Sequence, residues 1–224
     1  MTKEKGMNNS NNEMNTFKTE RTRVRRISDR GHYDQDTIYP IIDEAMICHV
    51  GFIQNNNPVV IPTIHARLGN TLYIHGSGAS RMLKVITNQN NICVTISLID
   101  GIVLARSAFH HSMNYRSVVI FGSGRKIDDP EEKLNALKAV SEHLIPERWD
   151  DVRQPNQKEL DATTVIAISL EEASAKVRTG PPSDDEDDYK LSVWAGVLPI
   201  TLIKEELIPD PVLPDKIDIP NYLK

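Results

Sequence analysis

Apolar positions recur along this chain with two different periods, and strand-like stretches outnumber helical ones. Asp34 to Ala45 places Ile38, Ile41, Ile42 and Ala45 at helical spacing, which predicts a short amphipathic helix. A series of strands follows. Met46 to Gln54 is apolar and ends in the turn signal Asn55-Asn56-Asn57. Val59 to Leu68 comes next, and Gly69-Asn70 joins it through a tight hairpin to Thr71 to His75. If Leu68 faces Thr71, then His75 faces Ile64, and His65 and His75 lie on opposite faces. Ser80 to Thr87 reads as a helix. Ile92 to Ile99 is a β-branched strand, and Asp100-Gly101 signals a hairpin returning through Ile102 to Phe109. Tyr115 to Phe121 is a further strand, after which Gly122 and Gly124 mark a bulge or bend. Asp129-Pro130-Glu131-Glu132 opens a helix with a cap, a first-turn proline and acids at the positive end of the dipole. Leu134, Leu137, Val140 and Leu144 form its apolar stripe, and Pro146 ends it. Thr164 to Leu170 and Leu191 to Val197 are the remaining strand candidates.

Six or more strands joined mostly by hairpins, with few helices, predict a mainly β fold: an antiparallel, closed or partly closed barrel. The chain divides into an Asn-rich tail over 1–20, expected to be disordered, one domain over 21–208, and an extended Pro-rich arm over 209–224. With 224 residues there is length for a sizeable core. No apolar run is long enough to span a bilayer, and the first residues lack the apolar core of a secretory signal, so the expected compartment is the cytoplasm. Cys48 and Cys93 each sit in an apolar run and read as buried free thiols.

The net charge of −5 argues against general nucleic-acid affinity, but the charge is unevenly placed. Arg21, Arg23, Arg25, Arg26 and Arg30 form a basic stretch. It has no interleaved aromatic residue to stack bases and reads as a solvated or domain-clasping segment. Asp184 to Asp188 reads as a solvated acidic loop, or as a partner for those arginines. The most informative segment runs from His75 to Lys84. A strand ends, a Gly/Ser loop follows and a helix begins, so unpaired N–H groups there attract an anion. Ser77 and Ser80 add hydroxyls, and Arg81 and Lys84 lie one turn apart, able to lean over one phosphate. The plainer reading is a capped surface helix with two solvated cations. His110-His111 could chelate a metal together only from an irregular loop, and no metal site is expected.

Several stretches, taken in order, carry a family resemblance. They are Val60-Ile61-Pro62-Thr63, Leu72-Tyr73-Ile74-His75-Gly76, Ser80-Arg81, Asp100 through Ser107, Phe109 through Val118, Ser174 through Pro182, and Val193-Trp194-Ala195-Gly196. Over roughly Arg21 to Pro199 the chain resembles the flavin-nucleotide-binding proteins related to pyridoxamine 5′-phosphate oxidase, near the nitroimidazole-resistance type. The resemblance implies an FMN-binding split barrel, a homodimer with flavin at the subunit interface. It implies that Pro62, Thr63 and Ile64 line the isoalloxazine, and that His75, Ser77, Ser80, Arg81 and Lys84 hold the ribityl phosphate. Ser112, Tyr115, Arg116 and Ser117 would come from the second subunit, with Lys176, Arg178 and Trp194 closing the site. The resemblance does not give the reaction; the readings are an FMN-dependent oxidoreductase passing electrons from a reduced nicotinamide to a small acceptor, or a non-catalytic flavin-binding protein for storage or sensing. Neither nucleic acid nor membrane is an expected partner.

Overall fold

Two-residue loops set the strand register. Asn55 and Asn56 both adopt left-handed conformation (φ 50° and 60°), so that Gln54 pairs with Asn57, as a tight hairpin requires. Gly69 (φ 56°) and Asn70 close the next loop, pairing Leu68 with Thr71 and His65 with Ile74. The computed structural model describes residues 17–224 apart from 88, 90 and 215; the Asn-rich segment before residue 17 lies outside the described residues. The strands are β1 (Gly31–His32), β2 (Ile47–Gln54), β3 (Asn57–Leu68), β4 (Thr71–Ser77), β5 (Ile92–Leu104), β6 (Ser112–Gly122), β7 (Gly124–Lys126), β8 (Thr163–Ser169), β9 (Glu172–Arg178) and β10 (Gly196–Pro199). The helices are α1 (Gln35–Glu44), α2 (Arg81–Ile86), α3 (Pro130–Leu144), α4 (Arg148–Asp151) and α5 (Gln157–Ala162).

All the strand pairs are antiparallel. The sheet runs β1-β9-β6-β5-β2-β3-β4-β8-β7, and β10 adds to β5 off this path. This is the predicted fold, a mainly β split barrel with a few helices. Its main core joins Ile38, Ile41 and Ile42 of α1 to Leu72 and Ile74 of β4, and to Ile96, Ile120, Ile166 and Ile168 of the neighbouring strands. A smaller cluster lies between α3 and the sheet, made by Tyr73, Val165 and Ala167 with Ala136 and Ile127. Period-2 alternation separates the two: Leu72 and Ile74 face the main core, while Tyr73 faces α3.

The three helices that the sequence places, α1, α2 and α3, start where expected, whereas α4 and α5 were not foreseen. The Asp34 side chain accepts from Thr37 N–H at α1, and Asp129 accepts from Glu132 N–H at α3. The buried stripe of α3 is rotated from the expected one. Ala136 and Val140 are buried, whereas Leu134 is exposed, because a small side chain lets the helix approach Tyr73 and Ala167 closely.

Three expectations are corrected. Asp100-Gly101 is not a hairpin turn: β5 runs straight through it, with a register shift between Ile99 and Gly101. Gly101 serves close approach instead. A Cβ there would lie 3.0 Å from the Leu198 carbonyl oxygen of β10. The strand expected over Leu191 to Val197 is shifted to β10, leaving Trp194 in the preceding connection. The ordered chain also begins before residue 21, since Phe17 is buried in the main core and its N–H donates to Tyr33 O. No helix among the described residues is long and apolar enough to cross a membrane.

Candidate functional site

The loop from Ser77 to Ser80 is folded by its own hydrogen bonds. Ser77 Oγ accepts from Ala79 N–H, Ser77 O accepts from Ser80 N–H, and Ser80 Oγ caps α2 by accepting from Leu83 N–H. Gly78 N–H donates to Ala162 O at 2.8 Å, tying the loop to the end of α5. Both serine oxygens therefore accept from the loop, and their O–H groups remain able to donate outward. Arg81 and Lys84 are exposed on α2. Lys84 lines a cleft of about 300 Å³ with Gly78, Thr87, Lys126 and Thr164. Lys126, paired to Asp128 at 2.9 Å, adds a second cation there that the sequence pattern did not single out. Hydroxyls, glycine and cations in one concavity form a donor set suited to a phosphate.

His75 does not open onto this cleft. Gly76 faces α2, where a Cβ would come within 3.2 Å of Leu83 Cδ1, so His75 one residue earlier points to the α3 side. It pairs across the sheet with Val165, and lines a second cleft of about 520 Å³. Ile64, Leu137, Val140, Leu144 and Trp149 supply apolar walls there. Trp149 is held by its N–H to Glu142 Oε1, and Arg153 at the cleft is held by Glu159 at 2.7 Å. Among the described residues neither ring nitrogen of His75 has a hydrogen-bond partner, and its Nδ1 is buried. Burial pushes its pKa below the ordinary value of 6.5, so the ring is neutral near neutral pH. His65 lies on the other face, as the hairpin register predicts. It is fully buried, 5.1 Å from the His143 ring, with its Nε2 bound to Ile42 O.

Pro62, Thr63 and Ile64 lie along β3 and pair with β2 or adjoin β4. Ser112, Tyr115, Arg116 and Ser117 lie on β6, with Tyr115 opposite Arg178 and Ser117 opposite Lys176 of β9. Strands β5 and β2 separate this second group from β3, so one chain does not join the two groups into a single site. Arg116 is engaged by both Glu44 and Asp100. This pairing raises its own pKa, and the Arg116 guanidinium holds Glu44 below the usual carboxylate range. Arg178 is buried and donates to Asn114 Oδ1 and to the carbonyls of Gly180 and Pro181. Both arginines thus brace the barrel within their own chain. Trp194 is 70% exposed and belongs to neither group.

A sequence profile of the pyridoxamine 5′-phosphate oxidase family matches residues 34–177, from α1 to β9. The chain belongs to that family. Among solved structures, the flavocytochrome Anf3 of Azotobacter vinelandii is similar at 41% identity with a TM-score of 0.87, covering 92% of this chain and 95% of that one. An FAD and heme binding protein of Mycobacterium smegmatis is 28% identical with a TM-score of 0.83, over 87% of this chain and 95% of that one. A putative 5-nitroimidazole antibiotic resistance protein of Bacteroides thetaiotaomicron is 27% identical with a TM-score of 0.56, over 66% and 86%. No curated protein matches the chain in sequence.

The family profile ends before the acidic loop, and there the charges pair locally. Asp184 is bound by Arg106 through both its backbone N–H and its guanidinium. Among the described residues the arginine stretch is not its partner: Arg21 pairs with Glu172, and Arg25 pairs with Glu20. His110 turns toward Asp185 at 3.3 Å, while His111 Nδ1 contacts Ser107 O. The α3–α4 wall of the His75 cleft was not legible, since Trp149 and Arg153 reach it through a left-handed turn at Glu147 (φ 67°). A lone tryptophan followed by a charged run carries no signal of that turn.

Proposed function

We propose that this chain is a flavin-binding electron-transfer protein that also carries a haem. The reading rests on one observation: two clefts of opposite character open on the two faces of β8, which gives Thr164 to one and Thr163 to the other. The cleft beside α2 offers cations and hydroxyls, which fits a flavin phosphate. The cleft beneath α3 offers apolar walls and a neutral imidazole, which fits a metalloporphyrin. The nearly full-length similarity to a flavocytochrome and to an FAD and heme binding protein supports the pairing.

In this reading the flavin is FMN, with Ser77, Ser80, Arg81 and Lys84 around its phosphate, Pro62, Thr63 and Ile64 beside its ring, and the partner subunit's β6 completing the site. The mycobacterial relative favours FAD as the second reading. The flavin supplies two-electron to one-electron redox chemistry, and the protein supplies position, water exclusion and charge. Electrons arrive from a reduced nicotinamide and leave to a small acceptor; storage or sensing without turnover is the competing role.

The absorption spectrum of purified protein tests the two cofactors together. A flavin spectrum with a Soret band is expected, and colourless protein would sink the proposal. Extraction and chromatography of the flavin distinguish FMN from FAD. Anaerobic NADH or NADPH should bleach the flavin, and its failure to do so would favour storage or sensing. Arg81→Ala should weaken flavin binding roughly ten- to a hundred-fold, since charge-assisted phosphate bonds are worth about 1.5–3 kcal/mol each. Arg25→Ala, on an exposed arginine paired only to Glu20, should leave binding unchanged.

A further inference from the structure

We propose that the cleft between β4 and α3 is the haem site, and that His75 is the residue that ligates the iron. This rests on the reading that the chain carries a haem, and it assigns where. The geometry comes first. His75 is set by strand alternation on the face of β4 that α3 covers, away from the cationic loop at α2. Its cleft of about 520 Å³ falls within the roughly 300–1,000 Å³ typical of cofactor sites. Leu137, Val140 and Leu144 line it from α3, Ile64 from β3 and Trp149 from α4. A flat apolar ring buries its faces against such walls.

The chemistry of the donor then narrows the occupant. A phosphate would need unspent cations. The one arginine lining this cleft, Arg153, is already held by Glu159 through two hydrogen bonds. The imidazole is different, because nothing among the described residues uses either of its nitrogens. Nδ1 is buried without a partner, which leaves Nε2, bound by no described residue, as the ring nitrogen that can take a metal in the cleft. An imidazole nitrogen that no side chain or backbone group engages has a lone pair to give to iron. His65 does not compete. It is fully buried on the opposite face, and its Nε2 is taken by Ile42 O.

The test is a hemin titration of the full-length protein, followed by the Soret band and by the electron paramagnetic resonance of the iron. Wild type should show the signature of histidine ligation. His75→Gly should weaken hemin binding by roughly tenfold or more, and free imidazole should restore the wild-type spectrum by filling the vacated space. Ser141→Trp, on a cleft-lining residue of α3, should block hemin without touching the ligand. Circular dichroism and thermal unfolding show that each variant is folded. His49→Ala, on the exposed side of β2, serves as the histidine control and should match wild type. If wild type takes up hemin and His75→Gly has the same spectrum and affinity, the ligand assignment falls while the haem reading stands. If folded wild type is yellow yet takes up no hemin, the haem reading itself falls. If His75→Gly loses flavin and keeps haem, His75 belongs to the flavin and the site is wrong.

Discussion

At the residue scale, the histidines show how strand parity decides chemistry. His65 and His75 are ten positions apart on one hairpin, yet one is sealed in the core and the other lines a cleft. His65 donates its Nε2–H to Ile42 O, and desolvation lowers its pKa, with the nearby His143 adding to the effect. The sign follows from linkage: the unfolded chain binds the proton more tightly than the folded one. The His65 contribution is therefore complete above its ordinary value of 6.5, and is lost as pH falls from there toward the lowered folded value. Melting temperature should drop on acidification through that window, and His65→Gln should flatten the slope. A melting temperature insensitive to pH across it would rule this out. The opposite orientations of the two rings were legible, because Gly69-Asn70 fixes the register. What each ring meets was not, because Leu137, Val140 and Trp149 come from segments some sixty to seventy-five residues further along the chain.

At the element scale, local signals succeeded where the turn itself makes the decision. Asn55-Asn56 and Gly69-Asn70 form loops of the predicted kind, and Asp34 and Asp129 cap their helices. Asp100-Gly101 carries an equally strong local signal and is nevertheless mid-strand. Its surroundings override it. Asp100 is drawn to Arg116 on β6, and the bare Cα of Gly101 admits the β10 backbone. Strand β9 escaped the hydrophobicity pattern for another reason. Ala173, Ser174 and Ala175 are buried because they are small, so the strand reads as polar and weak. The Gly101 reading has a direct test. Gly101→Val should push β10 off β5, cost about 1–3 kcal/mol by overpacking, and expose the segment after Arg178 to protease. A variant as stable and as protease-resistant as wild type would show that the close contact is dispensable.

At the scale of the whole molecule, the chain beyond β10 is apolar without being covered. Leu202, Ile203, Ile208 and Val212 are between 76% and 93% exposed, and contiguous exposed apolar residues mark association surfaces. The proposed homodimer would cover them, and would bring β3 of one subunit to β6 of the other. Light scattering should give twice the chain mass, and truncation after Pro199 should shift the population toward monomer. A full-length monomer with stoichiometric flavin would contradict the two-subunit site. The family-level fold was legible over most of the chain because its ordered motifs sit on the strands. The extended course of the arm was legible from its prolines; what its exposed apolar side chains meet was not.

The pairing of β4 with β8 also has a consequence in time. Thr71 meets Ser169 and Ser77 meets Thr163, so the floor beneath α3 is laid by segments made far apart during synthesis. Pairings this distant are slow, since the loop-closure entropy must be met before any contact rewards it. The first half of the chain leaves the ribosome with β4 as an open edge, a species prone to pairing with other strands. Nascent chains stalled before β8 should therefore be aggregation-prone and unable to retain a porphyrin, and ones released after β9 should hold it. Cofactor loading at this cleft is in that sense a late checkpoint of biosynthesis.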